Sequence, residues 1–401
     1  METDGIPLAP KYGPDFYTNL RAAFDSGGGE RAVDALADEL RNAGEFQQLF
    51  YALLLKSRLK LGVSPFPTGP ASDLPADAHE AYEAAIREGG RHVGGLHLER
   101  GEIAKAWPYF RMLQETEPIK AALLAHVPEA DDDVYPLVDI AWQQGVAPEL
   151  GFDWILDRSG VCSAITMVGS SDFASNPKLR DYCVQRLVQA LHAQLRERLA
   201  ADLIQRGLSG NPDETIADWV KTHPVLTADD AYHIDTSHLS SVVSSAMQLT
   251  PGPDLDLARD LAAYGAALSP MLSGTNDPPF EHVYKDYLPY LNAIAGVDVE
   301  ASLAHFAAKI EPAVADGYQF PVEVLVNLYL KVNRPADALA LARKYLAEED
   351  DARLTCPGVL ELARRVGDYN AYRETAAAKN DPVQWLAAIF AEAAIRPGAA
   401  I

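Results

Sequence analysis

The chain has 401 residues, and its 34 lysines and arginines are outnumbered by 57 aspartates and glutamates, which gives a formal net charge of −23. A field of this sign repels nucleic-acid phosphates and anionic membrane surfaces, so neither is an expected partner. The hydrophobic content of 48% is that of a globular protein rather than a disordered one.

The cysteines and the first residues of the chain bear on the compartment. Cys162, Cys183 and Cys356 are too few for a disulfide framework. Residues 1–14 lack the basic and apolar segments of a signal peptide, and no stretch reaches the ~20 apolar residues of a membrane-spanning helix. We therefore expect a soluble cytoplasmic protein without membrane insertion.

Apolar residues recur at helical spacing along almost the whole chain, so the sequence predicts helices and few or no strands. An N-terminal helical segment, 1–61, precedes a proline- and glycine-rich linker at 62–75 and a first helical-repeat region at 76–210. Gly27–Gly29 predicts a turn between two helices. The helices predicted up to residue 157 are 16–24, 30–42, 45–61, 76–113 with a break near 94–101, 133–144 and 148–157.

The longest uninterrupted helical pattern covers residues 177–206. Its leucines recur at every fourth position and form one apolar stripe: Leu187, Leu191, Leu195, Leu199 and Leu203. Asn176 is the predicted N-cap, and Gly207 is suited to the end of the helix.

A second helical-repeat region is predicted for residues 211–401. Helices of about a dozen residues, joined by short turns, indicate an all-α fold in which antiparallel pairs form an α-solenoid, open or closed into a toroid. The predicted helices are 237–249, 254–269, 279–295, 299–314, 321–332, 335–347, 359–366, 369–378 and 382–394.

Two windows share one pattern. The first helix of a pair ends at an aromatic or apolar residue, and the second helix carries a small residue. In residues 92–110 the positions are His97, Gly101, Ala106 and Phe110; in 325–345 they are Tyr329, Asn333, Ala338 and Ala342. The windows resemble tetratricopeptide repeats over about a quarter of the chain. The resemblance implies helical hairpins and binding of a protein or peptide on a concave surface.

The segment His233-Ile-Asp-Thr-Ser-His238 places two imidazoles and a carboxylate close together just before a predicted helix. These are ligand types of zinc and iron, and Glu281 and His282 are candidates for further ligands of such a divalent metal. In the alternative interpretation, Asp235 or Ser237 caps the following helix and the histidines are structural. The sequence leaves both interpretations open.

Aromatic residues suggest a binding surface. Tyr284 and Tyr287 lie three residues apart on the predicted helix 279–295, and His97 and Trp107 lie in the first repeat-like window. We expect these four side chains to line a ligand or peptide groove, with an ordinary amphipathic face as the alternative. Cys162 is a possible nucleophile if a base such as His238 approaches it, and the alternative is a buried free thiol.

Two functions from different classes follow. The first is a helical-repeat protein that binds a protein or peptide partner, which the acidic charge predicts to carry basic residues. The second is a metal-dependent enzyme built on His233, Asp235 and His238 inside a helical array. A third possibility is an α/α toroid with a catalytic acidic pair, for which the sequence does not select the pair. Whether the protein is an enzyme stays open at this level.

Overall fold

The structure is a computed structural model that describes residues 12–66 and 74–395. Within these ranges every regular element is a helix and no strand is present, which confirms the all-α prediction. In the same part of the chain, no helix is both long and apolar enough to cross a membrane. Most of the predicted linker, 67–73, lies outside the described residues, as do residues 1–11.

Contacts divide the chain into two compact units, Met1–Ile155 and Leu156–Ile401. In unit 1, each of the first four helices packs against the next one along the chain, and α4 also contacts α6. The helices are α1 (Pro14–Ala43), α2 (Phe46–Lys60), α3 (His79–Glu99), α4 (Ile103–Leu113), α5 (Glu117–Ala125) and α6 (Tyr135–Val138), which continues into a π-helical turn, Asp139–Gln143. The chain then enters α7 (Pro148–Ser170), which has a non-helical residue at Gly160.

The helix pair α3 and α4 is held closely together in the first repeat-like window. Gly94 faces Phe110, and a Cβ on this glycine would lie 2.8 Å from the ring. Ala106, the predicted small site, is fully buried. A small residue at position 94 therefore allows the two helices to approach closely.

Unit 2 contains the long leucine stripe and a series of shorter helices. They are α8 (Pro177–Gln205), α9 (Ile216–Thr222), α10 (Thr236–Ser245), α11 (Pro253–Ala267), α12 (Pro270–Ser273), α13 (Val283–Ile294), α14 (Val299–Ala307), α15 (Ile310–Ala315), α16 (Phe320–Lys331), α17 (Pro335–Tyr345), α18 (Val359–Val366), α19 (Tyr369–Ala378) and α20 (Pro382–Ile395). From α16 to α20, each helix packs against the next.

The helix α8 agrees with its prediction in detail. All five leucines of the stripe are buried, and the side chain of Asn176 accepts a hydrogen bond from the backbone N–H of Leu179 at 3.2 Å. Helix α8 packs against both α10 and α11. The stripe therefore forms the centre of the core in this part of unit 2.

Several predicted elements differ from the structure; the predicted helix 148–157, for example, continues to Ser170 in α7. The residues Gly27–Gly29 lie inside α1, where Gly28, at φ 75°, produces a kink instead of a separate turn. The predicted helix 299–314 is divided into α14 and α15. The predicted helix 279–295 begins only at Val283, because the backbone N–H of His282 is bound by the side chain of Asp286 at 2.8 Å, as at the start of a helix.

Candidate functional site

The imidazole of His233 bridges two helices of unit 2. Its Nε2 lies 3.1 Å from Oδ2 of Asp202 on α8, and its Nδ1 lies 3.2 Å from Oη of Tyr264 on α11. The backbone N–H of His233 also donates to Tyr264 Oη at 3.0 Å. Both ring nitrogens are therefore engaged, and the arrangement fits a ring that carries its proton on Nε2. Burial raises the pKa of Tyr264 to about 12, so the phenol stays protonated.

Asp235 is the N-cap of α10. Its Oδ1 accepts hydrogen bonds from the backbone N–H of Ser237 at 2.8 Å and of His238 at 3.4 Å. The hydrogen bond from the Ser237 hydroxyl is the first of the causes that lower the pKa of Asp235. The capping interpretation of this residue is confirmed, and the carboxylate oxygen that caps the helix is already used by three donors.

We expect His233→Ala to destabilise unit 2 by about 1–2 kcal/mol, because Asp202 and the buried hydroxyl of Tyr264 each lose a partner. His238→Ala is the matched control, since the ring of His238 makes no hydrogen bond in the part of the chain that the structure describes. Thermal unfolding and elemental analysis of both variants separate the two interpretations of this segment. Stoichiometric metal that is lost in both variants would show that the histidines are ligands.

Glu281 belongs to an ion cluster rather than to an open ligand set. Nζ of Lys309 lies 2.6 Å from Oε2 of Glu281 and 2.6 Å from Oδ1 of Asp286. The same Asp286 oxygen lies 2.7 Å from Nε2 of His305. A lysine ammonium therefore occupies the space between the two carboxylates, while the side chain of His282 is exposed.

The predicted ligands of zinc or iron are not brought together among the described residues. Among the residues described, no three His, Cys, Asp or Glu side chains form a group that could hold a metal ion. The segments that contain His233 and Glu281 are connected instead by Tyr284, whose hydroxyl donates to the backbone carbonyl of Thr236 at 3.0 Å. This connection stabilises packing and brings no set of ligands together.

The four aromatic residues predicted to line a groove are buried. Tyr284 and Tyr287 are 1% and 6% exposed, and Trp107 and His97 are buried as well. Nδ1 of His97 lies 2.7 Å from Glu102 Oε2, which gives this imidazole a local partner. The structure therefore places these side chains in the cores of their units, as in the alternative of an amphipathic face. Cys162, by contrast, is exposed, so the expected burial of this thiol is wrong.

A cleft of about 390 Å³ in unit 2 was not predicted from the sequence. Lys331, the last residue of α16, lies in it and donates to the backbone carbonyls of Gln248 at 3.3 Å and Leu249 at 3.5 Å. Burial is the first cause that lowers the pKa of Lys331, and the charge of Arg180 is the second. The sequence signal that could have indicated this cleft is a single cationic residue, Lys331, at the end of an apolar helix. The residues that line the cleft are Met247, Gln248, Tyr290, Phe320, Val324, Asn327, Leu330, Lys331 and Thr355.

An exposed apolar face on α20 was also missed. Val383, Leu386 and Phe390 are 75%, 46% and 52% exposed, and neighbouring Trp385 is 40% exposed. On the other side of the helix Ala388 is buried, where α20 packs against α19. The prediction of a helix at 382–394 did not distinguish these two faces.

Comparison of the chain with known protein families, with curated proteins and with solved structures finds no match.

Proposed function

We propose that the protein is a helical-repeat scaffold that binds a protein partner through the exposed face of α20. The partner contributes an amphipathic helix that carries basic residues. The consecutive packing of helices from α16 to α20 supports a solenoid, as does the resemblance to tetratricopeptide repeats. Binding on a concave surface, as that resemblance implies, stays a prediction.

The observation that carries the proposal is the spacing of the exposed apolar residues. Val383, Leu386 and Phe390 lie at positions i, i+3 and i+7, so they share one side of α20. Among the described residues, α20 packs against α19, and its exposed apolar residues lie away from buried Ala388. An apolar stripe in this position is suited to packing against the apolar side of a second helix.

The charge of the chain favours a basic partner over a second copy of the same protein. Two copies would each bring a formal charge of −23, and their fields repel. A helix flanked by lysines or arginines would instead be attracted, so its association should weaken as salt is added.

The proposal is tested by fluorescence anisotropy with a labelled amphipathic helical peptide of leucine and lysine. The wild-type chain should bind this peptide, and Leu386→Glu/Phe390→Glu should weaken binding by roughly tenfold or more, because two charges replace apolar contacts. Met271→Glu is the control variant, since Met271 is exposed and lies on α12. A peptide of leucine and glutamate is the control for charge.

Two results would contradict the proposal. One is equal affinity of the lysine peptide for the wild type, the double variant and the Met271 variant, which would indicate attraction by net charge without a docking face. The other is a wild-type dimer, detected by sedimentation, that dissociates in the double variant, because the face would then be covered by a second copy.

A further inference from the structure

We propose that the cleft around Lys331 binds the carboxylate of an organic acid with an apolar body. This inference is independent of the proposed contact at α20. It depends on two polar side chains that line the same cleft and on the apolar residues around them.

Lys331 has a hydrogen-bond donor left for a ligand. A lysine ammonium has three N–H donors, and two of them are directed at the backbone carbonyls of Gln248 and Leu249. No carboxylate in the described residues forms an ion pair with Lys331. An anion in the cleft would therefore gain a charge-assisted hydrogen bond without displacing an existing partner.

Tyr290 provides a second donor. Its side chain is almost fully buried and lines the cleft, yet its hydroxyl makes no hydrogen bond with any described residue. The ring is fixed from the side by Phe306, with ring centroids 5.6 Å apart in an edge-to-face arrangement. The hydroxyl is therefore open to the cleft, where a ligand oxygen can accept its hydrogen bond.

The charge and polarity of the cleft define the class of ligand. Lys331 is the one charged side chain among the described residues that line the cleft. Nearby Arg180 is paired with Asp181 at 3.2 Å, and the buried carboxylate of Glu323 accepts from the backbone N–H and the hydroxyl of Thr355, so the ammonium of Lys331 is the charge available to a ligand in the cleft. A monoanionic carboxylate fits this balance better than a phosphate dianion. Met247, Val324 and Leu330 provide contacts for an apolar body, in a volume typical of small-molecule sites.

The same carboxylate chemistry occurs in a free acid and at the C-terminus of a peptide. Isothermal titration with 3-phenylpropionate and its neutral amide tests the first source. Titration with N-acetyl-Leu-Phe as the free acid and as the C-terminal amide tests the second. In either pair, the acid should bind roughly tenfold or more tightly than the amide, because only the acid pairs with Lys331.

Variants locate the site. Lys331→Met should weaken binding of the acid by roughly tenfold or more, whereas Lys285→Met is a control at an exposed lysine on α13. Tyr290→Phe removes only a hydroxyl without a protein partner, so it should leave folding intact and weaken binding by roughly fivefold. Equal affinity for acid and amide, an unchanged affinity in Lys331→Met, or no binding of either acid at millimolar concentration would each overturn the proposal.

Discussion

Replacing Asp286 by alanine is expected to lower the free energy of unfolding of unit 2 by about 3–5 kcal/mol. Asp286 is 1% exposed and binds three groups. Lys309 and His305 share its Oδ1 at 2.6 and 2.7 Å, and Oδ2 accepts the backbone N–H of His282 at 2.8 Å. Without the carboxylate, the side chains of Lys309 and His305 and the backbone N–H of His282 lose an acceptor while they remain partly buried.

Urea unfolding followed by far-ultraviolet circular dichroism measures this loss. Asp286→Asn should have a smaller effect, because an amide oxygen can still accept from the backbone N–H of His282. Asp256→Ala is the matched control, since this exposed aspartate pairs only with Arg259 one turn away on α11. Equal urea midpoints for the Asp286→Ala and Asp256→Ala variants would show that the ion cluster contributes little to stability.

The second large effect is expected at Gly265, where α11 approaches α13. A Cβ at this position would lie 2.4 Å from ring atoms of Tyr284. The ring cannot move away easily, because it is buried and its hydroxyl is bound to the carbonyl of Thr236. We therefore expect Gly265→Ala to destabilise unit 2 by about 2–3 kcal/mol through overpacking.

The control for this substitution is Gly169→Ala on α7, where an added Cβ would meet no atom within 4 Å. Alanine is the better helix former, so the control should be neutral or more stable by up to about 1 kcal/mol. The unfolding temperature of Gly265→Ala should therefore fall below that of the wild type, whereas that of Gly169→Ala should be unchanged or higher. A Gly265→Ala variant as stable as the wild type would mean that α11 and α13 are not packed this closely.

The helices could be predicted where their signals are local. The bounds of α18 and α19 agree with the prediction, and the N-cap of α8 was identified from Asn176 and the proline that follows it. Helix α9 was missed although its start has a local signal, a capping box in which the Thr215 hydroxyl accepts the backbone N–H of Asp218 and the Asp218 carboxylate accepts that of Thr215. A distant residue also contributes to this helix start. Asp260 of α11 accepts the backbone N–H groups of Ile216 and Ala217 at 2.9 and 2.8 Å.

The candidate site could be predicted only in part, because contacts between helices decide the role of each side chain. The spacing of His233, Asp235 and His238 predicted a metal site. The partners of His233, however, are Asp202 and Tyr264, which come from two other helices. Burial of Tyr284 and Tyr287 follows from the packing of α13 against both α11 and α14, which an apolar stripe does not specify. Packing between helices likewise brings Lys331 and Tyr290 to one cleft.

The central claim is that a basic amphipathic helix docks on α20. The most direct test is photo-cross-linking of the full chain with the leucine–lysine peptide carrying a photoreactive phenylalanine on its apolar face, followed by mass spectrometry. We predict cross-links on α20 around Val383, Leu386 and Phe390, and their loss in Leu386→Glu/Phe390→Glu. Cross-links confined to unit 1 or to other helices of unit 2 would contradict the claim.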